Sequence, residues 1–185
     1  MTDLKEIVAS GTAPHTLSRG AVPVDDEAAR LEALRRTGLL DTAPEPAFDD
    51  LVSWACDHFR VPIALVSLLD AERQWFKARR GLDVQETPRN VAFCRFTIRQ
   101  SLPMVVEDAA RDPRFRNNPL VLGEPHIRFY AGAPIINRKG LALGSVCLID
   151  RVPRSFGMVD RMVLAQLTVT ALAAIERREG GKQRG

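Results

Sequence analysis

Between residues 25 and 178 the spacing of hydrophobic positions switches repeatedly between a helical and a strand period, and each switch marks an element. "DDEAARLEALRRTG" (25–38) has acids first, Leu31 and Leu34 in register, Arg35 and Arg36 late, and Gly38 as a stop. That order complements both ends of a helix dipole and predicts a helix. "TAPEPAFDDLVSWACDHF" keeps the helical period through Phe48, Leu51, Val52, Ala55 and Phe59. "VPIALVSLLD" (61–70) is β-branched and apolar on both faces, a central strand. "RQWFKARR" (73–80) is its hairpin partner across a turn at Asp70 and Ala71. Residues 81–91 read as a polar connection. "AFCRFTIRQ" fits a short helix, with Phe93, Phe96 and Thr97 on one side. "PMVVED" (103–108) is a strand, and the irregular stretch after it holds at most a helical turn. "IRFYAGAPI" (127–135), a turn at "NRKG" and "LALGSVCLID" (141–150) give two more strands. The pattern from Phe156 to Arg178 is helical again.

Two of these elements have one polar or apolar face more than packing requires. Alternation in 127–135 puts Ile127, Phe129, Ala131, Ala133 and Ile135 on one side and Arg128, Tyr130, Gly132 and Pro134 on the other. The second side combines a cation, an aromatic hydroxyl and a glycine that permits close approach, a set suited to orienting a ligand. A bulge or a slip of one residue would exchange the two faces. In the last helix, Met162, Ala165, Val169 and Leu172 form one apolar line, and Val163, Leu167, Thr170 and Ala174 form the next. A helix on one sheet needs a single stripe. The surplus predicts a second copy of the chain, hence a homodimer.

Composition narrows the classes. The 185 residues fit one domain with extensions: a flexible N-terminal arm over 1–24, rich in Gly, Pro, Ser and Thr, the domain over 25–178, and a flexible tail over 179–185. A net charge of +3 with interspersed acids argues against nucleic acid as a partner. The apolar run 162–175 is shorter than the ~18 residues of a membrane span, so no membrane partner is expected. "MTDLKEIVASGTAPH" lacks a secretory h-region, and Cys56, Cys94 and Cys147 are odd in number and sit in apolar surroundings. Reduced thiols and a cytoplasmic location follow as expectations. His15, His58 and His126 have no metal-ligand spacing, and "GLALGS" leads into a strand rather than a helix, so neither a metal nor a phosphate loop is expected. No cofactor is expected.

Several stretches, in this order, carry a family resemblance: "LLDTAPEPAFDDLV", "PIALVSLLDAERQWFKARRGL", "ETPRNVAFC", "VVEDAARDPRFRNNPLV", "IRFYAGAPI" and "GLALGSVCLIDRVPR". The chain resembles a GAF domain, the small-molecule-sensing module of bacterial signalling proteins. The resemblance implies an α+β fold with a central antiparallel sheet of five or six strands, terminal helices on one face and a ligand pocket on the other. The pocket would lie between the sheet and the 81–125 segment, and paired terminal helices would pass a signal to an output domain. No kinase, cyclase or DNA-binding pattern occupies the remaining residues, so the expectation is either a separate output protein or a chain that is a fragment of something longer.

On that basis Cys94, Arg95, Phe96, Asp108, Arg114, Arg128, Tyr130 and Gly132 are the candidate ligand-binding residues of a non-enzymatic sensor. Its ligand would be anionic if one or two arginines among Arg95, Arg99, Arg111, Arg114, Arg116 and Arg128 point inward. Two other readings stay open. Free methionine-R-sulfoxide reductases share this fold, and Cys94 falls near one of their cysteine positions. That chemistry needs a second thiol; residues 111–126 have none, and Cys56 and Cys147 are expected in the core. The other reading is a dimerisation module whose pocket is filled by its own side chains. Bilin attachment lacks its histidine, since Arg95 and Phe96 follow Cys94, and the Asn-Lys…Phe…Asp-Glu signature of cyclic-nucleotide sites is absent.

Overall fold

The structure, a computed structural model, describes residues 26–182; the arm assigned to 1–24 lies outside them. Helix α1 (Glu27–Thr37) starts where the Asp26 carboxylate accepts from the Ala29 amide at 2.9 Å, and it ends at Gly38 with φ 57°. Those are the acidic start and glycine stop that the sequence offers. Helix α2 (Pro46–Phe59) opens on a proline, whose missing N–H leaves no intrahelical bond unmade.

Strands β1 (Ile63–Leu69), β2 (Arg73–Arg80), β3 (Glu86–Pro88), β4 (Met104–Val106), β5 (Phe129–Ile136) and β6 (Ala142–Asp150) form one sheet in the order β3-β2-β1-β6-β5-β4. Every neighbouring pair is antiparallel. The α+β, GAF-like architecture is therefore as expected, with six strands. Strand β3 lies inside the stretch read as a plain connection. It is short because it pairs only with Arg73, Gln74 and Trp75. Short helices α3 (Cys94–Thr97) and α4 (Pro119–Leu122) lie in the crossing segments, and α5 (Met158–Lys182) closes the described chain.

Alternation splits the core into two layers. On one face Ala64, Val66, Leu68, Phe129, Ala131, Val146 and Leu148 pack with Leu34, Phe48, Leu51, Leu164 and Leu167 of α1, α2 and α5. On the other, Leu65, Phe76, Tyr130, Cys147 and Ile149 pack with Phe93, Cys94, Ile98, Phe115 and Val121 of the crossing segments. Tyr130 thus faces away from the terminal helices, the parity expected for this strand. Ile127 does not follow Phe129. The strand proper starts at Phe129, His126 has φ 59°, and the Ile127 amide donates to the Leu120 carbonyl at 2.9 Å. That bend carries Ile127 to the Tyr130 side.

A register shift between Val66 and Ser67 lets Trp75 and Ala78 of β2 both face the helices while Phe76 faces the other way. Lys77, at that shift, has a fully buried side chain. Its ammonium donates to Thr42 Oγ1 at 2.8 Å, Ala43 O at 2.7 Å and Glu45 Oε1 at 2.7 Å. Burial still pushes its pKa down. Arg178, late in α5, reaches the same Glu45.

Helix α5 runs past the expected boundary at Arg178. Its segment Met158–Arg178, with a mean hydropathy of 1.5, has the length and composition of a membrane-crossing helix, although 28% of it is buried. Leu164, Leu167, Ala171, Ala174 and Ile175 commit one face to the core. Met158, Met162 and Val169 stay exposed on a second stripe, Met162 at 66%.

Strand β6 passes close to the β1 backbone at Gly144. A Cβ there would stand 1.9 Å from the Ser67 carbonyl oxygen. Gly144→Ala is expected to cost about 1–3 kcal/mol or more by forcing β6 from β1, read as a lowered urea midpoint. An unchanged midpoint would contradict this packing.

Candidate functional site

The face opposite the terminal helices holds a buried polar cluster. Tyr130, 1% exposed, brings its hydroxyl within 2.7 Å of Thr97 Oγ1 and 3.4 Å of both Cys94 Sγ and Cys147 Sγ. The two sulfurs are 3.2 Å apart. Ser145 Oγ lies 3.0 Å from Cys147 Sγ, and Ser67 donates to Cys94 Sγ at 3.5 Å. Strand alternation supplies this cluster: Ser67 pairs with Ser145 and Leu65 with Cys147, so all four share a face. Gly132 completes the fit. A Cβ on it would stand 2.1 Å from the Tyr130 hydroxyl oxygen, so the space at Gly132 is filled by the tyrosine itself and not by a ligand.

Burial disfavours ionisation of Cys94, but hydrogen bonds from Cys147, Ser145, Ser67 and Tyr130 outweigh it and bring the thiol to about 6. Cys147 and Tyr130 move the opposite way, well above their ordinary values, through burial and the neighbouring sulfur charge. The pair therefore loses one proton readily and holds the second.

Beside this cluster a cavity of about 410 Å³ opens between the sheet and the covering segments. Leu65, Phe76, Phe93, Leu120, Ile127 and Ile149 form apolar walls; Tyr130, Cys94 and Cys147 lie at one end. Its polar lining comprises Gln74, Asp83, Glu86, Thr87, Glu124 and Arg151, and the mouth lies at the exposed Asp83, Val84 and Glu124. Gln74 is only 5% exposed, and its carboxamide forms no hydrogen bond with the described residues. Glu86 is taken by Arg73 at 2.6 Å.

The predicted site residues divide accordingly. Cys94 and Tyr130 line the cavity together. The other candidates do not. Arg128 gives its guanidinium to Asp108, with both bonds at 2.9 Å, and this pair borders a separate surface recess with Glu107, Arg111 and Arg154. Arg114 pairs with Asp112 at 2.6 Å and lies over the Phe115 ring. Arg95 is exposed and stacks on Phe96, whose own edge meets Phe115. The arginines invoked for an anion are thus either paired locally or turned to solvent. The charged cavity lining is three carboxylates and one arginine, which removes the argument for an anionic ligand. Cys147 and Ile127, expected in the core, are buried and also border the cavity, as do Phe93 and Gln74, which the sequence does not single out as ligand groups. Cys147 supplies, from strand β6, the second thiol sought in the cover.

A six-stranded antiparallel sheet backed by terminal helices, with a cavity under its crossing segments, is the arrangement the resemblance implied. The GAF domain profile matches residues 43–175. The chain belongs to the GAF domain family. A cyclic di-GMP phosphodiesterase of Pseudomonas aeruginosa is 48% identical over 130 residues, 70% of this chain; the chain spans only 22% of that relative. The GAF domain of an Acinetobacter phosphoenolpyruvate-protein phosphotransferase superposes with a TM-score of 0.63 at 20% identity, covering 83% of this chain and 96% of that one. A free methionine-R-sulfoxide reductase of Neisseria meningitidis, solved with its substrate, gives 0.57 at 14% identity over 83% and 88%. At such identities the solved structures establish a common fold.

Tyr130→Phe is expected to lower stability by about 1–3 kcal/mol, because the buried Thr97 hydroxyl loses its partner; an unchanged unfolding midpoint would argue against the cluster. Cys94 also sets a pH dependence. A thiol held at about 6 against an ordinary 9.0 adds stability that is full above pH 9.0 and fades as pH falls through about 6. Unfolding free energy should therefore rise across that window and lose the rise in Cys94→Ser.

Proposed function

We propose that this chain is a sensory GAF module that binds a small, mainly apolar molecule, neutral or cationic, and takes part in signal transduction as a helix-mediated dimer without catalysing a reaction itself. The observation that carries the reading is the cavity: apolar walls, a buried Gln74 carboxamide with no hydrogen bond to the described residues, and a volume of about 410 Å³, within the ~300–1,000 Å³ of ligand sites. Gln74 offers a donor and an acceptor to the polar end of the ligand. The carboxylates at the mouth favour a neutral or positive molecule over an anion.

The dimer reading rests on Met158, Met162 and Val169, an apolar stripe left over once α5 has covered the sheet. A second copy presenting the same stripe buries both, and the paired helices then join the sensor to an output protein. The related cyclic di-GMP phosphodiesterase matches this chain over a minor part of its length. The output proposed here is regulation of a signalling activity of that kind, located in other residues or in a separate, cytoplasmic partner.

One observation favours the ligand-free structural module as a second reading. The inner half of the sheet's front is packed by Tyr130, Phe93 and Phe115, with the two last rings stacked at 4.0 Å. Native mass spectrometry of freshly purified protein separates the two. A dimer carrying a small molecule released on denaturation is expected. A dimer of bare chains would favour the structural module, and a monomer at micromolar concentration would overturn the helix pairing. Met162→Glu is expected to yield monomers with unchanged far-ultraviolet circular dichroism; a persistent dimer would place the interface elsewhere.

A further inference from the structure

The cysteine pair at the end of the cavity has a use that ligand binding does not require. Cys94 on α3 and Cys147 on β6 bring their sulfurs to 3.2 Å, while the third cysteine, Cys56, sits in the separate layer behind the sheet. Both cysteines border the inner end of the cavity, although their side chains are almost fully buried, so a small solute entering at Asp83 and Val84 comes up against the wall that holds them. We propose that Cys94 and Cys147 form a redox-active dithiol that reduces small hydroperoxides and becomes an intramolecular disulfide.

The geometry fits each step. The Cys94 thiolate attacks the terminal oxygen of ROOH; an S–O bond forms, the O–O bond breaks, and the leaving alkoxide takes up the proton that Cys94 released. Cys147 then attacks the sulfenic sulfur; the S–S bond forms, the S–O bond breaks, and hydroxide leaves with the Cys147 proton as water. Two thiols lose two electrons, and the peroxide gains two. Closing the sulfurs from 3.2 Å to about 2.0 Å needs a movement of about 1 Å. Cys94 is the nucleophile because the Ser67 and Tyr130 hydroxyls and the Cys147 thiol all lie within donating distance of its sulfur and stabilise its thiolate, and burial beside that charge makes Cys147 hold its proton until the second step. The product joins the covering helix α3 covalently to the central strand β6. It also withdraws both thiols from the Tyr130 hydroxyl, which keeps Thr97.

The test uses the reduced, folded full chain and one equivalent of hydrogen peroxide. Intact mass spectrometry is expected to show the loss of two hydrogens, peptide mapping a Cys94–Cys147 cross-link, and dithiothreitol full reversal. Cys56→Ser should behave as the natural chain, whereas Cys94→Ser and Cys147→Ser should each abolish the cross-link. Peptide mapping of the natural chain stands even if a serine variant fails to fold. A gain of oxygen without a cross-link, a disulfide involving Cys56, or inertness under conditions that oxidise the unfolded chain would overturn the proposal.

Discussion

The bond between the Tyr130 hydroxyl and Thr97 holds the cover to the sheet. It spans 2.7 Å between a central strand and helix α3, with both groups buried. A hydroxyl in an apolar layer costs stability unless it is partnered, so this contact fixes where α3 can sit. Gly132 is the other half of the constraint, since only a residue without a Cβ lets the tyrosine lie along its own strand. With the cover pinned there, the inner front of the sheet is closed by Phe93 and Phe115. The outer front, from Phe76 to Ile127, remains a cavity.

The two faces of the sheet meet at β2. Phe76 lines the cavity, and the adjacent Lys77 is buried on the helical side against Glu45, which also takes Arg178 from the end of α5. The ion cluster that ties down the helix carrying the exposed Met158, Met162 and Val169 stripe thus lies one residue along β2 from the cavity wall. A buried cation is costly to strand without its carboxylate, so the buried Lys77 ammonium depends on Glu45.

Much of the fold is legible in the residues. The period switches give the helices and five of the strands, and alternation in 127–135 puts Tyr130 and Phe129 on opposite faces, which the family resemblance matches to the cavity and the helices. The site is legible only in part. Arg128 and Asp108 look like ligand groups one at a time, yet they satisfy each other across twenty positions of chain, a pairing that no local pattern reveals. Cys147 reads as a core hydrophobe because its strand is apolar on both faces; its closeness to Cys94 comes from tertiary packing alone. Ile127 is misplaced by strict alternation because the backbone bends at His126. Strand β3 escapes notice because three residues give too little period to detect.

The central claim is that the outer half of the sheet's front is a ligand site. The most direct measurement is a crystal structure of the protein purified from its native cells without denaturation. The account predicts ordered density for a compact molecule, its apolar body between Leu65, Phe76 and Ile127 and its polar end on the Gln74 carboxamide. A cavity holding only water, or one collapsed with Leu120 against Phe76, would contradict it.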